Sequence, residues 1–131
     1  MKQYSTFKKN KTGASPQHFI IDYVIYPFDL LVSICESDDT VRNVLKDKLP
    51  EDIHGEIDIV FKESEARAVC FPNGATIIRF KNKPSAGLIA HEAFHAVEYI
   101  MNILELPVSE AWAYLLQYIV NEITYKINEK Q

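Results

Sequence analysis

From Ala86 to about Asn128 the apolar residues recur at helical spacing in two runs, broken only around Leu106 and Pro107. A connection that short lets the second helix fold back antiparallel to the first, so the last third of the chain reads as a helix pair. Ser85 precedes the first run and Pro107 with Ser109 opens the second, the residue types that favour helix starts.

Strand signals stand ahead of the pair. Ala66 to Phe71 and Ala75 to Phe80 flank Pro72-Asn73-Gly74, and Asn-Gly is a strong short-range hairpin signal because both residues tolerate positive φ. Ile57, Ile59 and Phe61 alternate with Asp58 and Val60, which predicts a further strand and hence three antiparallel strands before the helices. Between Ser37 or Asp38 and Pro50, Val41, Val44, Leu45 and Leu49 predict a short amphipathic helix.

Residues 19–35 are rich in β-branched and aromatic types, with Pro27 in the middle, and read as a strand either side of a bend, with a helix over 29–35 left open. Residues 1–17 are polar and aperiodic and read as a flexible arm, leaving residues 18–131 as one domain. The fold class expected is α+β, a small, mostly antiparallel sheet packed on the two C-terminal helices.

With 131 residues and 47% hydrophobic content, one core suffices. Cys35 and Cys70 make no disulfide framework, no apolar run nears the ~20 residues of a membrane span, and Asp22 breaks the run that a signal peptide would need. These features predict a cytoplasmic protein without a membrane partner. A net charge of -4 supplies no overall attraction for nucleic acid.

The chemistry is concentrated in His91-Glu92-Ala93-Phe94-His95. A helix turns about 100° per residue, so histidines four apart share a face and can direct nitrogen donors at one tetrahedral zinc. Glu92 is rotated off that line, as suits a general base that works on a water without ligating the metal. On the wheel Ile89, Ala93, Phe94, Val97, Ile100, Met101 and Leu104 form the apolar face, and His91, His95, Glu98 and Asn102 a narrow polar stripe. No lysine or arginine lies between Gly87 and Leu104, so the stripe is expected to line a cleft.

Catalytic zinc takes three protein donors and one open position. Glu110, opening the second helix, is the first choice, with a first-turn carboxylate that merely complements the helix dipole as the competing role. Glu105 lies in the turn, and Glu98 suits second-tier support of His95. Cys70 would give a site resembling peptide deformylases, but the glycine-rich and Glu-Gly-Cys motifs of that family are absent, which favours a small core residue. His18 and His54 have no partner spacing. Tyr114, one turn beyond Glu110, is a candidate oxyanion donor, though tyrosines more often pack with a wet tip.

Taken together, residues 74–120, with HEAFHAVEYI and SEAWAYLLQYIV, resemble small bacterial and phage-type zincin metallopeptidases of the gluzincin kind. The resemblance covers roughly the C-terminal third. It implies a zincin-like fold, His91, His95 and Glu110 as zinc ligands, Glu92 as base, and a strand at the cleft edge, with residues 75–80 the candidate, against which an extended peptide pairs. Glu98 stands where metzincins have glycine, and no third histidine follows. The expected function is a zinc peptidase of narrow specificity acting on a peptide or protein; the alternative is a catalytically silent zincin-like domain that binds metal or a partner.

Overall fold

The structure, a computed structural model, describes residues 15–23, 26, 29–107 and 109–129. Four strands form one mixed sheet: β1 (Gln17–Asp22), β2 (Asp29–Ile34), β3 (Ala66–Cys70) and β4 (Thr76–Phe80). Three α-helices accompany them, α1 (Asp38–Lys48), α2 (Ala86–Ile103) and α3 (Glu110–Glu129), with a 3₁₀ segment at Glu51–Phe61. The class is α+β.

Strand order across the sheet is β1, β2, β4, β3. β1 and β2 pair antiparallel, as do β3 and β4, whereas β2 and β4 run parallel with Leu30 opposite Thr76 and Ile34 opposite Phe80. A parallel pair needs a crossover, and α1, the 3₁₀ segment and β3 all lie within it. The apolar run in β2 is a strand rather than a helix, and it alternates between two cores. Leu30, Val32 and Ile34, with Ile78 and Phe80 of β4, pack toward α2 and α3; Leu31 and Ile77, with Val69, pack toward α1 and the 3₁₀ segment. Burial on both faces is why these central strands read as nearly continuous hydrophobic runs.

Two expectations are corrected. Residues 57–61 belong to the 3₁₀ segment, not to a strand: Ile53, Ile57 and Val60 are buried while Ile59 is exposed, a helical spacing that five alternating residues had imitated. The strand over residues 75–80 is not at the edge. All five residues of β4 are buried, since it has a hydrogen-bonded neighbour on each side, and the outer position belongs to β3.

The other elements follow their sequence signals. Ser37 caps α1 by accepting from Thr40 N at 3.2 Å, and in the hairpin Asn73 Oδ1 accepts from Ala75 N while Gly74 takes φ 92°. Most of the expected arm, residues 1–14, and Pro27 lie outside the described residues; β1 already begins at Gln17, which is buried. Cys35 and Cys70 are not joined by a disulfide. Among the described residues, no helix is long and apolar enough to cross a membrane.

Candidate metal centre

α2 carries the motif, and its start is set by Ser85, whose Oγ accepts from Leu88 N at 3.1 Å. Ile89, Ala93, Ala96, Val97, Ile100 and Met101 fasten the helix to the sheet, and the two small alanines let it lie close. α3 packs alongside through Leu115, Ile119, Ile123 and Ile127, a stripe with a four-residue repeat.

On the outward side of α2 the rings of His91 and His95 lie edge to face, with centroids 4.9 Å apart. Two imidazoles bound at about 2.1 Å to one tetrahedral ion would hold their centres about 5 Å apart, so this spacing suits a shared zinc. His91 is the more exposed of the two, and His95 Nδ1 lies 3.4 Å from Glu98 Oε1, a contact that orients the ring and leaves Nε2 for a metal. Glu98 thus lies within reach of His95, as its spacing of three residues along the helix predicts.

Glu92 differs from the two histidines in being buried, 6% exposed, with Oε2 4.0 Å from His91 Nε2. It lines an open groove together with Leu88 and His91 on one wall and Glu65 and Ala66, at the start of β3, on the other. Of the expected polar stripe only His91 lines this groove, and it is itself largely exposed; Asn102 faces outward. Phe94 is the clearest misplacement, 41% exposed rather than in the apolar face, stacked edge to face on Trp112 at 5.4 Å and beside His95 at 6.0 Å.

That aromatic contact brings the first turn of α3 next to the second turn of the motif. Glu110 begins this turn and is exposed; Ser109 Oγ accepts from Ala111 N at 3.3 Å. Glu110, Tyr114, Gln117 and Asn121 all fall on the exposed face of α3, opposite its buried stripe, so the two polar stripes do not face each other across one cleft. Among the described residues no group of three or more His, Cys, Asp or Glu side chains is gathered as a metal site. The structure thus brings His91, Glu92, His95 and Glu98 together along one helix and leaves Glu110 at the start of its neighbour.

The other candidates have separate occupations. Tyr114 is 66% exposed on the outer face of α3. Glu105 takes a left-handed backbone, φ 56°, in the turn after α2, where Leu106 N donates to Met101 O to close the helix end. Cys70 ends β3, with Sγ 3.7 Å from Phe71 O. His18 Nδ1 pairs with the buried Glu36 at 2.7 Å, and His54 Nε2 bonds Leu49 O at 3.0 Å.

Sequence reasoning missed Glu65 and Ala66, because only the strand register brings them to the motif. It also missed Tyr99, for which a signal existed: Tyr99 follows Glu92 by two helical turns and shares its face. Its hydroxyl donates to Ala68 O of β3 at 3.3 Å. Burial first, then the negative charge available to Cys70, Glu98 and Glu92, hold this phenol above its ordinary range, against the opposing pull of Arg67.

No family model matches the chain, and neither the curated proteins nor the solved structures yield a match.

Proposed function

We propose that this chain is a zinc-dependent peptidase of narrow specificity, as its resemblance to the gluzincin kind of zincin implies. The observation that carries the reading is the His91 and His95 ring pair beside a buried Glu92, with His91 and Glu92 lining a groove whose far wall is an edge strand.

In this reading His91 and His95 hold the metal through ring nitrogens, Glu98 keeps His95 oriented, and Glu110 supplies the third donor from the adjoining turn of α3. Zinc bound there would supply a Lewis acid for a carbonyl oxygen and for the attacking water. Glu92 takes the proton from that water and returns it to the leaving amine; its burial in the groove wall keeps the carboxylate close to the reacting atoms. A peptide or protein substrate lies extended along β3, the edge that the structure puts in place of residues 75–80. Tyr114, exposed on α3, is left without a part in these steps.

Replacing Glu92→Gln tests the mechanism. Hydrolysis of a quenched fluorescent peptide library should vanish while elemental analysis still finds zinc; turnover by the variant would sink the assignment. A wild-type protein that binds zinc and cleaves nothing would instead favour the catalytically silent domain.

A further inference from the structure

The pairing of β3 with β4 fixes which of its backbone groups face outward. Lys81 N donates to Glu65 O at 3.0 Å at one end of the ladder, and Phe71 N donates to Ala75 O at 2.8 Å at the other. Residues 65 and 81, like 71 and 75, are direct partners in the same register that sets Ala66 opposite Phe80 and Cys70 opposite Thr76. In an antiparallel ladder hydrogen-bonded pairs alternate with non-bonded ones. The odd-numbered residues 65, 67, 69 and 71 therefore bond inward to β4, and Ala66, Ala68 and Cys70 turn their N–H and C=O toward the open edge.

One of those outward groups is already taken. The Tyr99 hydroxyl reaches from α2 over the edge and donates to Ala68 O. Ala66, by contrast, lies in the groove with His91 and Glu92. A peptide entering from the motif end meets the N–H and C=O of Ala66 and then the N–H of Ala68, and there it meets the tyrosine.

We infer that Tyr99 sets the length of peptide that β3 can pair with, closing the edge at Ala68 so that about three residues are gripped beside the motif. This inference rests on the proposed peptide-binding reading of the same groove and adds its specificity: the ligand is a short extended segment, and residues beyond it gain no backbone contact. Tyr99 touches no reacting atom, so it is a specificity residue.

The test is peptide binding read without turnover. Full-length protein carrying Glu92→Gln, with zinc present, is titrated by fluorescence anisotropy with fluorescein-labelled, end-blocked alternating Thr-Val peptides of tripeptide, pentapeptide and heptapeptide length. With Tyr99 in place the three lengths should bind equally. Adding Tyr99→Phe, which removes only the hydroxyl, or Tyr99→Ala, which also removes the ring, should leave the tripeptide unchanged and tighten the longer peptides roughly three- to tenfold, the effect of one released hydrogen-bonding position. The same length dependence in all three proteins, or no binding by any of them, overturns the inference. If the length pattern appears but wild-type protein hydrolyses nothing, the peptidase reading fails and the edge limit stands; if wild-type protein hydrolyses peptides and Tyr99 has no length effect, the reverse holds.

Discussion

Substituting His95→Ala should separate metal binding from packing, because the structure makes its two consequences unequal. His95 is partly exposed, its polar contact with Glu98 is long at 3.4 Å, and the rings it touches among the described residues are the exposed ones of His91 and Phe94. Contacts of that kind contribute ~0–1 kcal/mol, so without metal the variant should lie within about 4 °C of wild type in Tm. Zinc binding to the native state alone stabilises by ~2.7 kcal/mol when free zinc is about 100 times Kd. For 131 residues, an unfolding entropy of about 2.1 cal/mol/K per residue converts that into a Tm rise of about 10 °C. Thermal melts followed by circular dichroism, with EDTA or with buffered zinc, should therefore show the rise in wild type and none in His95→Ala. Glu110→Ala should fall between: a tenfold weaker site at the same zinc retains ~1.4 kcal/mol, or about 5 °C. A wild-type Tm that zinc leaves unmoved, or equal rises in wild type and His95→Ala, would refute the two-histidine site; equal rises in wild type and Glu110→Ala would remove Glu110 from it.

Three further outcomes follow from particular residues. Glu105→Gly relieves a left-handed backbone that a Cβ disfavours, φ 56°, and should stabilise by ~0.5–1 kcal/mol in urea unfolding with the zinc-induced Tm rise unchanged; losing that rise would make Glu105 the third donor. Ile119→Ala removes three fully buried carbons between α3 and the core and should cost about 3–4 kcal/mol, against about 0.5 or less for Tyr125→Ala, which is 60% exposed; a cost under about 1 kcal/mol at Ile119 would mean α3 is not docked as described. Tyr23 is buried with a hydroxyl that finds no partner among the described residues, and burial, then Cys70 and Asp29, push its pKa well above the ordinary value. Its contribution to stability is therefore full below about pH 10, where the unfolded chain starts to ionise, and falls as pH rises further, so Tyr23→Phe should flatten the alkaline decline in urea midpoints; equal slopes from about pH 9 to about pH 11 would count against it.

What the sequence reveals of the fold depends on how local each feature is. The helix pair needed only periodicity and two start signals: the expected spans 86–104 and about 109–128 lie within a residue or two of Ala86–Ile103 and Glu110–Glu129. The hairpin was equally local, because Asn73 and Gly74 carry their own turn geometry. The 3₁₀ segment was not legible, since Ile57, Ile59 and Phe61 match an alternating pattern and only the packing against α1 and Val69 decides which of them goes inside.

The site divides along the same line, and that division sets Glu110 apart from the motif residues. His91, Glu92 and His95 are tied by i, i+1 and i+4 spacing on one helix, so any chain that makes the helix makes their arrangement. The groove wall is different. The sheet order sets β4 inside and β3 outside, and this choice alone puts Ala66 rather than a residue of β4 beside Glu92. Glu110 depends on a third level, the rotation and axial position of α3 against α2, which is fixed by Leu115, Ile119 and Ile123 and by the Phe94 contact with Trp112. Those contacts determine where the first turn of α3 lies but leave Glu110 on its exposed side, so nothing in the apolar packing draws the carboxylate toward the histidines. A third donor at Glu110 must therefore be drawn in by the metal itself, and zinc should order the first turn of α3: amide hydrogen exchange at residues 111–113 should slow on adding zinc in wild type and stay unchanged in Glu110→Ala.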